Sequence, residues 1–126
     1  MNTKVGDYIR IDGYISKIGH ISKSSKGKIY AQWQQPNGML ASGNINIIEK
    51  SSSSIVDVIE PKDYVNGYLV LSVGTITWDS NGNPINRAVL INHLGSDLWL
   101  TEDFIRNVVT HEQFDKWMYK IGDINE

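Results

Sequence analysis

Asp7-Tyr8 followed by Gly13-Tyr14 returns later in the chain as Asp63-Tyr64 followed by Gly67-Tyr68. Each copy reads as a strand, a tight turn and a second strand. Asp12-Gly13 and Asn66-Gly67 are strong two-residue hairpin signals, because a type I′ turn needs positive φ at both central positions. The copies differ by two residues ahead of the Gly, and an even difference keeps equivalent side chains on the same face of a strand. A repeat of this kind constrains the chain to two related small β modules in tandem. A module of about 60 residues buries only about 60% of its unfolded surface and is marginal alone. The modules are therefore expected to pack on each other and share a core. Four Trp, six Tyr and two Phe can fill much of it, since each ring buries roughly 150–250 Å².

The rest of each copy extends the pattern. Tyr8 to Ile11 alternates, with Ile9 and Ile11 on one face. Tyr14 to Ser22 runs as a longer strand whose alternation shifts phase at Gly19, which predicts a bulge or sharp bend. A polar loop, Lys23 to Gly27, leads to a third strand over Lys28 to Gln34. Gln35-Pro36-Asn37-Gly38 is a turn, Met39 to Ser42 a fourth strand, Gly43-Asn44 a kink and Ile45 to Glu49 a fifth strand. The run Ser51 to Ser54 marks the module boundary. Beyond it Ile55, Val58 and Ile59 fit one helical turn with Ser54 as N-cap and Pro61 as stop, or a short strand.

The second module repeats the plan. It has strands over Asp63 to Val65, Tyr68 to Trp78 (Gly74 as counterpart of Gly19), Ile85 to Asn92 and Asp97 to Leu100. A kink at Glu102-Asp103-Phe104 and a last strand over Ile105 to Val109 follow. Thr110-His111-Glu112-Gln113 reads as a capping box. Phe114, Trp117 and Met118 then share one helical face, and Tyr119-Lys120-Ile121 is expected as a short edge strand. The predicted fold is all-β: two tandem SH3-like small barrels packed together, with one short C-terminal α-helix. The predicted boundaries are 1–50 for the first module, 51–62 for a linker and 63–126 for the second module.

The stretch Ser54 to Tyr68 resembles the middle of a loose group of small uncharacterised proteins from phages and mobile elements of Firmicutes. Asn107 to Phe114, followed by Tyr119-Lys120-Ile121, is similar to their usual C-terminus, and Lys4 to Tyr8 fits their opening. The group has no established activity. The resemblance implies a setting, phage or prophage in a bacterial cytoplasm, and assigns no site.

The chemistry that can be sought by motif is missing. With no cysteine there is no disulfide scaffold, zinc-thiolate site or thiol nucleophile. Residues 1–10 hold no apolar run of signal-peptide length, and no stretch is long enough to span a membrane, so a cytoplasmic protein is expected. His111-Glu112 begins the zinc motif H-E-x-x-H, but Asp115 stands where the second His is needed. Asp79 to Asn83 departs from an EF-hand loop in its Gly position and in Leu90 at the twelfth place. There is no G-x-S-x-G elbow and no phosphate loop. The carboxylate pairs Glu102-Asp103 and Glu112/Asp115 read as solvated. No catalytic residue, metal or cofactor is expected, and the chain reads as a non-enzyme.

Two binding constellations remain. The net charge of −2 divides unevenly: residues 1–50 carry seven Lys/Arg against three Asp/Glu, residues 51–126 five against eleven. Lys17, His20, Lys23, Lys26 and Lys28, with Arg10, Tyr14 and Tyr30, could hold phosphates and stack a base. They are the candidate site for nucleic acid or a nucleotide, cyclic nucleotides included. The bland alternative is a lysine-rich edge that blocks strand pairing, with the halves attracting each other. Trp33, Trp78, Trp99 and Trp117 are either core or ligand contacts. Trp78 abuts the longest loop and, with Asp79, Asp97, Glu102 and Asp103, would suit a basic protein partner. The expected function is a phage-type binding protein that docks on a host protein, a defence or nucleic-acid-processing factor, and modulates it. A nucleic-acid or nucleotide binder is the alternative.

Overall fold

The structure, a computed structural model, describes residues 3–117. Tyr119-Lys120-Ile121 and Met118 lie outside them. Among the described residues ten strands form two five-stranded antiparallel sheets. In the first, β1 (Tyr8–Ile11), β2 (Tyr14–Lys23), β3 (Ile29–Gln34), β4 (Leu40–Asn44) and β5 (Lys50–Ser52) lie in the order β4-β3-β2-β1-β5. In the second, β6 (Tyr64–Val65), β7 (Tyr68–Trp78), β8 (Pro84–His93), β9 (Ser96–Thr101) and β10 (Val108–Val109) lie in the order β10-β6-β7-β8-β9. The two orders are the same once the strands are counted from each module's start. In both a 3-10 turn precedes the last strand, Ile45–Ile47 in one and Glu102–Phe104 in the other. Neither sheet closes: its fourth and fifth strands stand at opposite edges. Where barrels were expected, the chain forms two open sheets. Among the described residues no helix is long and apolar enough to cross a membrane.

Six tight hairpin connections use two chemistries. Asp12-Gly13, Asn66-Gly67 and Leu94-Gly95 have positive φ at both positions, the type I′ pattern that matches strand twist. Leu94 (φ +53) adopts this conformation without the Asn or Asp that usually permits it. The segments opened by Ser24, Gln35 and Asp79 share another design. In each, the first residue's N–H donates to the fifth carbonyl, and a Gly at the fourth position donates back to the first.

The opening of each module is repeated to the level of single hydrogen bonds. Asp7 Oδ2 accepts from Lys4 N–H at 3.0 Å, and Asp63 Oδ2 accepts from Glu60 N–H at 2.8 Å. The Asp7 carbonyl accepts from Ile18 N–H, and the Asp63 carbonyl from Val70 N–H. Ile18 and Val70 are thus equivalent, and each is followed by a bulge, at Gly19 and at Leu71. Gly19 was expected; its counterpart is Leu71 and not Gly74, which pairs regularly with Ala88 and lies under the Trp99 ring.

Between the equivalent points the first hairpin is longer by two residues in each arm. The extra pairs are Arg10↔Ile15 and Ile11↔Tyr14. The period of two sends Ile11 and Tyr14 into the first core and Arg10 and Ile15 out of the opposite face. There are two cores where one shared core was expected. The first gathers Ile9, Ile11, Ile18, Ala31, Trp33, Ile45 and Ile48. The second gathers Val56, Ile59, Val65, Val70, Val89 and Ile91, and Ile15 from the first module packs against it.

Two element bounds differ from the sequence reading. Ile45–Ile47 is a 3-10 turn capped by the Asn44 side chain, and the fifth strand starts later, at Lys50. Ser51 and Ser52 pair with β1, so the serine run belongs half to the first sheet. Beyond it Ile55–Val58 is a 3-10 turn with Ser54 as its N-cap. Val56, Val58 and Ile59 are buried, so this segment is packed structure and not a loose tether.

Candidate functional site

Arg10 sits at the junction of the modules, fully buried. Its Nη1 donates to Asp63 Oδ2 at 2.7 Å and to the Val58 carbonyl at 3.0 Å. Its Nη2 donates to Asp63 Oδ1 at 3.0 Å and to Glu112 Oε1 at 2.6 Å. Among the described residues Nε has no hydrogen-bond partner, and it faces Glu60 Oε2 at 3.5 Å. Burial alone would lower the Arg10 pKa; hydrogen bonds and charge from Asp63, then from Glu112, outweigh it and hold the guanidinium above its ordinary value. Arg10 therefore cannot touch a bound phosphate, which corrects its place in the basic constellation. Glu112, expected to be solvated, is half-buried on the same guanidinium.

The carboxylate of Asp63 is equally buried and takes four donors. Oδ2 accepts from Arg10 and Glu60 N–H, and Oδ1 from Arg10 and His111 N–H at 2.9 Å. Around it, Lys50 Nζ reaches Glu60 at 3.1 Å and His111 Nε2 lies 3.4 Å from the same residue. Burial works to raise the Glu60 pKa, but Lys50, Arg10 and His111 together hold it below its ordinary value. Asp63, His111 and Glu112 place ligand-type atoms within 4.8 Å of one another. They do not fit a metal ion, because the guanidinium already fills the cationic position and Asp63 has no acceptor direction left.

The helix α1 (His111–Trp117) is fixed to this junction by its cap. Thr110 N–H donates to Gln113 Oε1 and Gln113 N–H to Thr110 Oγ1, both at 3.1 Å, as the capping-box signature predicts. The Thr110 hydroxyl donates to the Gly13 carbonyl. A Cβ on Gly13 would lie 2.8 Å from Glu112 Cβ, so the tip of the long hairpin meets the helix in near contact. Beside this contact lies a cleft of about 540 Å³ lined by Asp12 to Tyr14, Gln35 to Asn37, Glu112, Gln113, Lys116 and Trp117.

The other basic candidates separate into two groups. Lys17, His20 and Tyr30 lie on the outer face of the first sheet, with Lys23, Lys26 and Lys28 at the adjoining hairpin end. All six are exposed, and Lys17 Nζ stands 4.9 Å from the centre of the Tyr8 ring. Among the described residues none of these lysines pairs with a carboxylate; the salt bridges use Arg10, Lys50, Arg87 and His111. Tyr14 is not part of the group. Its hydroxyl accepts from Trp33 Nε1 at 2.8 Å, and it lines the cleft.

Trp33 is core, 3% exposed. Trp78 is 57% exposed at the β7–β8 tip, opposite Pro84 and next to Ile85 at 56%. Asp79 ties that tip down: its carboxylate accepts from Asn81 N–H at 2.8 Å and Asn83 N–H at 2.9 Å. The backbone bond from Asn83 is the main reason its pKa is lowered. Asp97 does not join Trp78. It pairs with Asn92, eight residues along β8 from Pro84, roughly 26 Å at the strand rise. Glu102 is occupied by Ile55 N–H at 2.8 Å, and Asp103 is exposed in the turn after β9.

Sequence reasoning missed the Arg10–Asp63 pair. The available signal was the two-residue excess of the first hairpin, which had to carry one outward pair that the second copy lacks. No protein-family model, curated protein or solved structure matches the chain.

Proposed function

We propose that the chain is a non-enzymatic binding protein of a phage or prophage, which docks on a host protein and modulates it. A defence or nucleic-acid-processing factor is the class of target that setting favours. The strand order shared by the modules, 5-1-2-3-4 with a 3-10 turn before the fifth strand, supports an SH3-like plan for each. The buried ion-pair network couples the modules, so the loops of both are presented in fixed relation. The observation that carries the reading is the β7–β8 tip. Trp78 and Ile85 are more than half exposed on a turn locked by its own Asp79, beyond any need of the core. Trp is among the residues enriched at interface hot spots, and a locked tip loses little freedom on binding.

The test is capture from a bacterial lysate on the immobilised full chain, in parallel with Trp78→Ala. A stoichiometric host protein whose capture falls at least tenfold with Trp78→Ala supports the reading. Equal capture by both chains, or none by either, overturns it.

A second reading has its own observation, the set of exposed lysines that have no carboxylate partner among the described residues. Nucleic acid on the outer face of the first sheet would be held by Lys17, Lys23, Lys26 and Lys28, with Tyr30 as a stacking surface. Affinity for a single-stranded oligonucleotide should then fall steeply with salt. The triple change of Lys23, Lys26 and Lys28 to Ala should flatten that slope; an unchanged slope removes the reading.

A further inference from the structure

Among the described residues the strand β9 ends the second sheet and pairs only with β8. Its six pairs run from His93↔Ser96 to Ala88↔Thr101 without a register shift. The two-residue Leu94-Gly95 turn makes His93↔Ser96 a hydrogen-bonded pair. By alternation Ser96, Leu98 and Leu100 bond to β8, and the N–H and C=O groups of Asp97, Trp99 and Thr101 point off the sheet. Natural edges are usually blunted by Lys, Pro, a bulge or a cover. Among the described residues β9 has none of these and a single charge, Asp97, near its start; Leu98 and Trp99 are 43% and 42% exposed.

The strand is also complementary to itself. Asp97-Leu98-Trp99-Leu100-Thr101 has the same apolar pattern read in either direction from Trp99. Antiparallel pairing about that residue sets Trp99 against the partner's Trp99, Leu98 against the partner's Leu100 and Asp97 against the partner's Thr101. Facing side chains then share a face, as antiparallel sheets require. All three outward residues fall in hydrogen-bonded pairs, giving about six bonds across the dyad. The two Asp97 carboxylates lie four residues apart, roughly 13 Å, beyond the screening length of about 8 Å at physiological salt. A register centred on Asp97 would set the carboxylates face to face. The open edge β4 lacks this symmetry: pairing about Ser42 would set Leu40 against the partner's Asn44.

We propose that β9 is a dimerisation edge, joining two copies of this chain through a continuous sheet centred on Trp99. This inference stands apart from the docking role of Trp78, which lies at the far tip of the sheet.

The test is the mass of the full chain by sedimentation equilibrium across the micromolar range, expected at twice 14.2 kDa. Thr101→Pro is the decisive variant. Residue 101 already has φ −79°, which proline accepts. The change removes one outward N–H and leaves the β8 ladder whole. It should weaken the dimer at least tenfold with the circular-dichroism spectrum unchanged. Trp99→Cys adds a readout of register. The chain has no other cysteine, and a hydrogen-bonded pair separates Cα atoms by about 5.5 Å, within disulfide reach. Oxidation should therefore cross-link Trp99→Cys and not Ser42→Cys. A monomer at every concentration overturns the proposal and leaves β9 for a different chain's strand. A dimer that Thr101→Pro does not weaken, or that cross-links through Ser42→Cys, overturns it as well.

Discussion

Replacing Asp63 by Asn changes one atom type at a buried carboxylate that joins the two modules. The Asp63 carboxylate takes four donors, two on each oxygen, and each oxygen receives one of its two from Arg10. Whichever way the amide turns, its NH₂ faces two donors. The variant loses one charged and one backbone hydrogen bond, and Arg10 stays buried with Glu112 at 2.6 Å and, without a hydrogen bond, Glu60 at 3.5 Å as its remaining carboxylates. A hydrogen bond to a charged group is worth about 1.5–3 kcal/mol, and breaking a buried ion pair from one side costs about 3–5 kcal/mol. The expected loss is about 4 kcal/mol, a large share of the roughly 5–15 kcal/mol that holds a domain folded. With a urea m-value of about 2 kcal/mol/M, the midpoint should fall by about 2 M. Arg10→Met should cost a similar amount, because it leaves the carboxylate without its counter-charge. The double variant should cost less than the sum of the two, by up to about 3 kcal/mol. A loss under about 1 kcal/mol for Asp63→Asn would refute this reasoning, as would additivity in the double variant.

Gly13→Ala and Gly67→Ala separate strain from collision. Both positions have positive φ, +79° and +87°, but a Cβ meets Glu112 at 2.8 Å in the first and open space in the second; urea unfolding should show about 1 kcal/mol lost at Gly67 and about 1–3 kcal/mol more at Gly13. Glu60 has a depressed pKa, so its contribution is complete above the ordinary Glu value of 4.5 and is lost as pH falls through the lower folded value. Glu60→Gln should flatten the stability profile below pH 4.5, and a profile unchanged by that substitution would contradict the sign.

What was legible in the sequence was local chemistry. Asp12-Gly13 and Asn66-Gly67 form the turns their residue types require, Thr110 and Gln113 form the cap, and Ile9 and Ile11 enter the core that their alternation indicates. Ser54 caps a helical turn. Legibility failed where the determinant was a contact between distant segments. Arg10 stands opposite Ile9 and Ile11 in alternation, which in a lone hairpin means solvent; only the second module, 53 residues on at Asp63, covers that face. The bulge at Leu71 carries no glycine, because the repeated hydrogen bond to the preceding residue places it. Leu94 takes a left-handed conformation that its residue type disfavours, held by the pairing of β8 with β9. Charge asymmetry was half readable: Arg10 and Lys50 do pair with carboxylates of the second half, while among the described residues the lysines of the β2–β3 hairpin do not.

The longer first hairpin gives the tandem a direction. Two copies of one ancestral unit would be interchangeable, but here one carries the projecting arm and the other receives it. Asp7 occupies the position of Asp63 and has no guanidinium; the second module has the receiving Asp63 and no arm. Neither unit can play the other's part, so two first modules fused in a row would lack the receiving pocket formed with Glu112. The arm turns a repeated sequence into a matched pair, and any recombination that trades one module for the other should yield a chain that folds poorly or stays undocked.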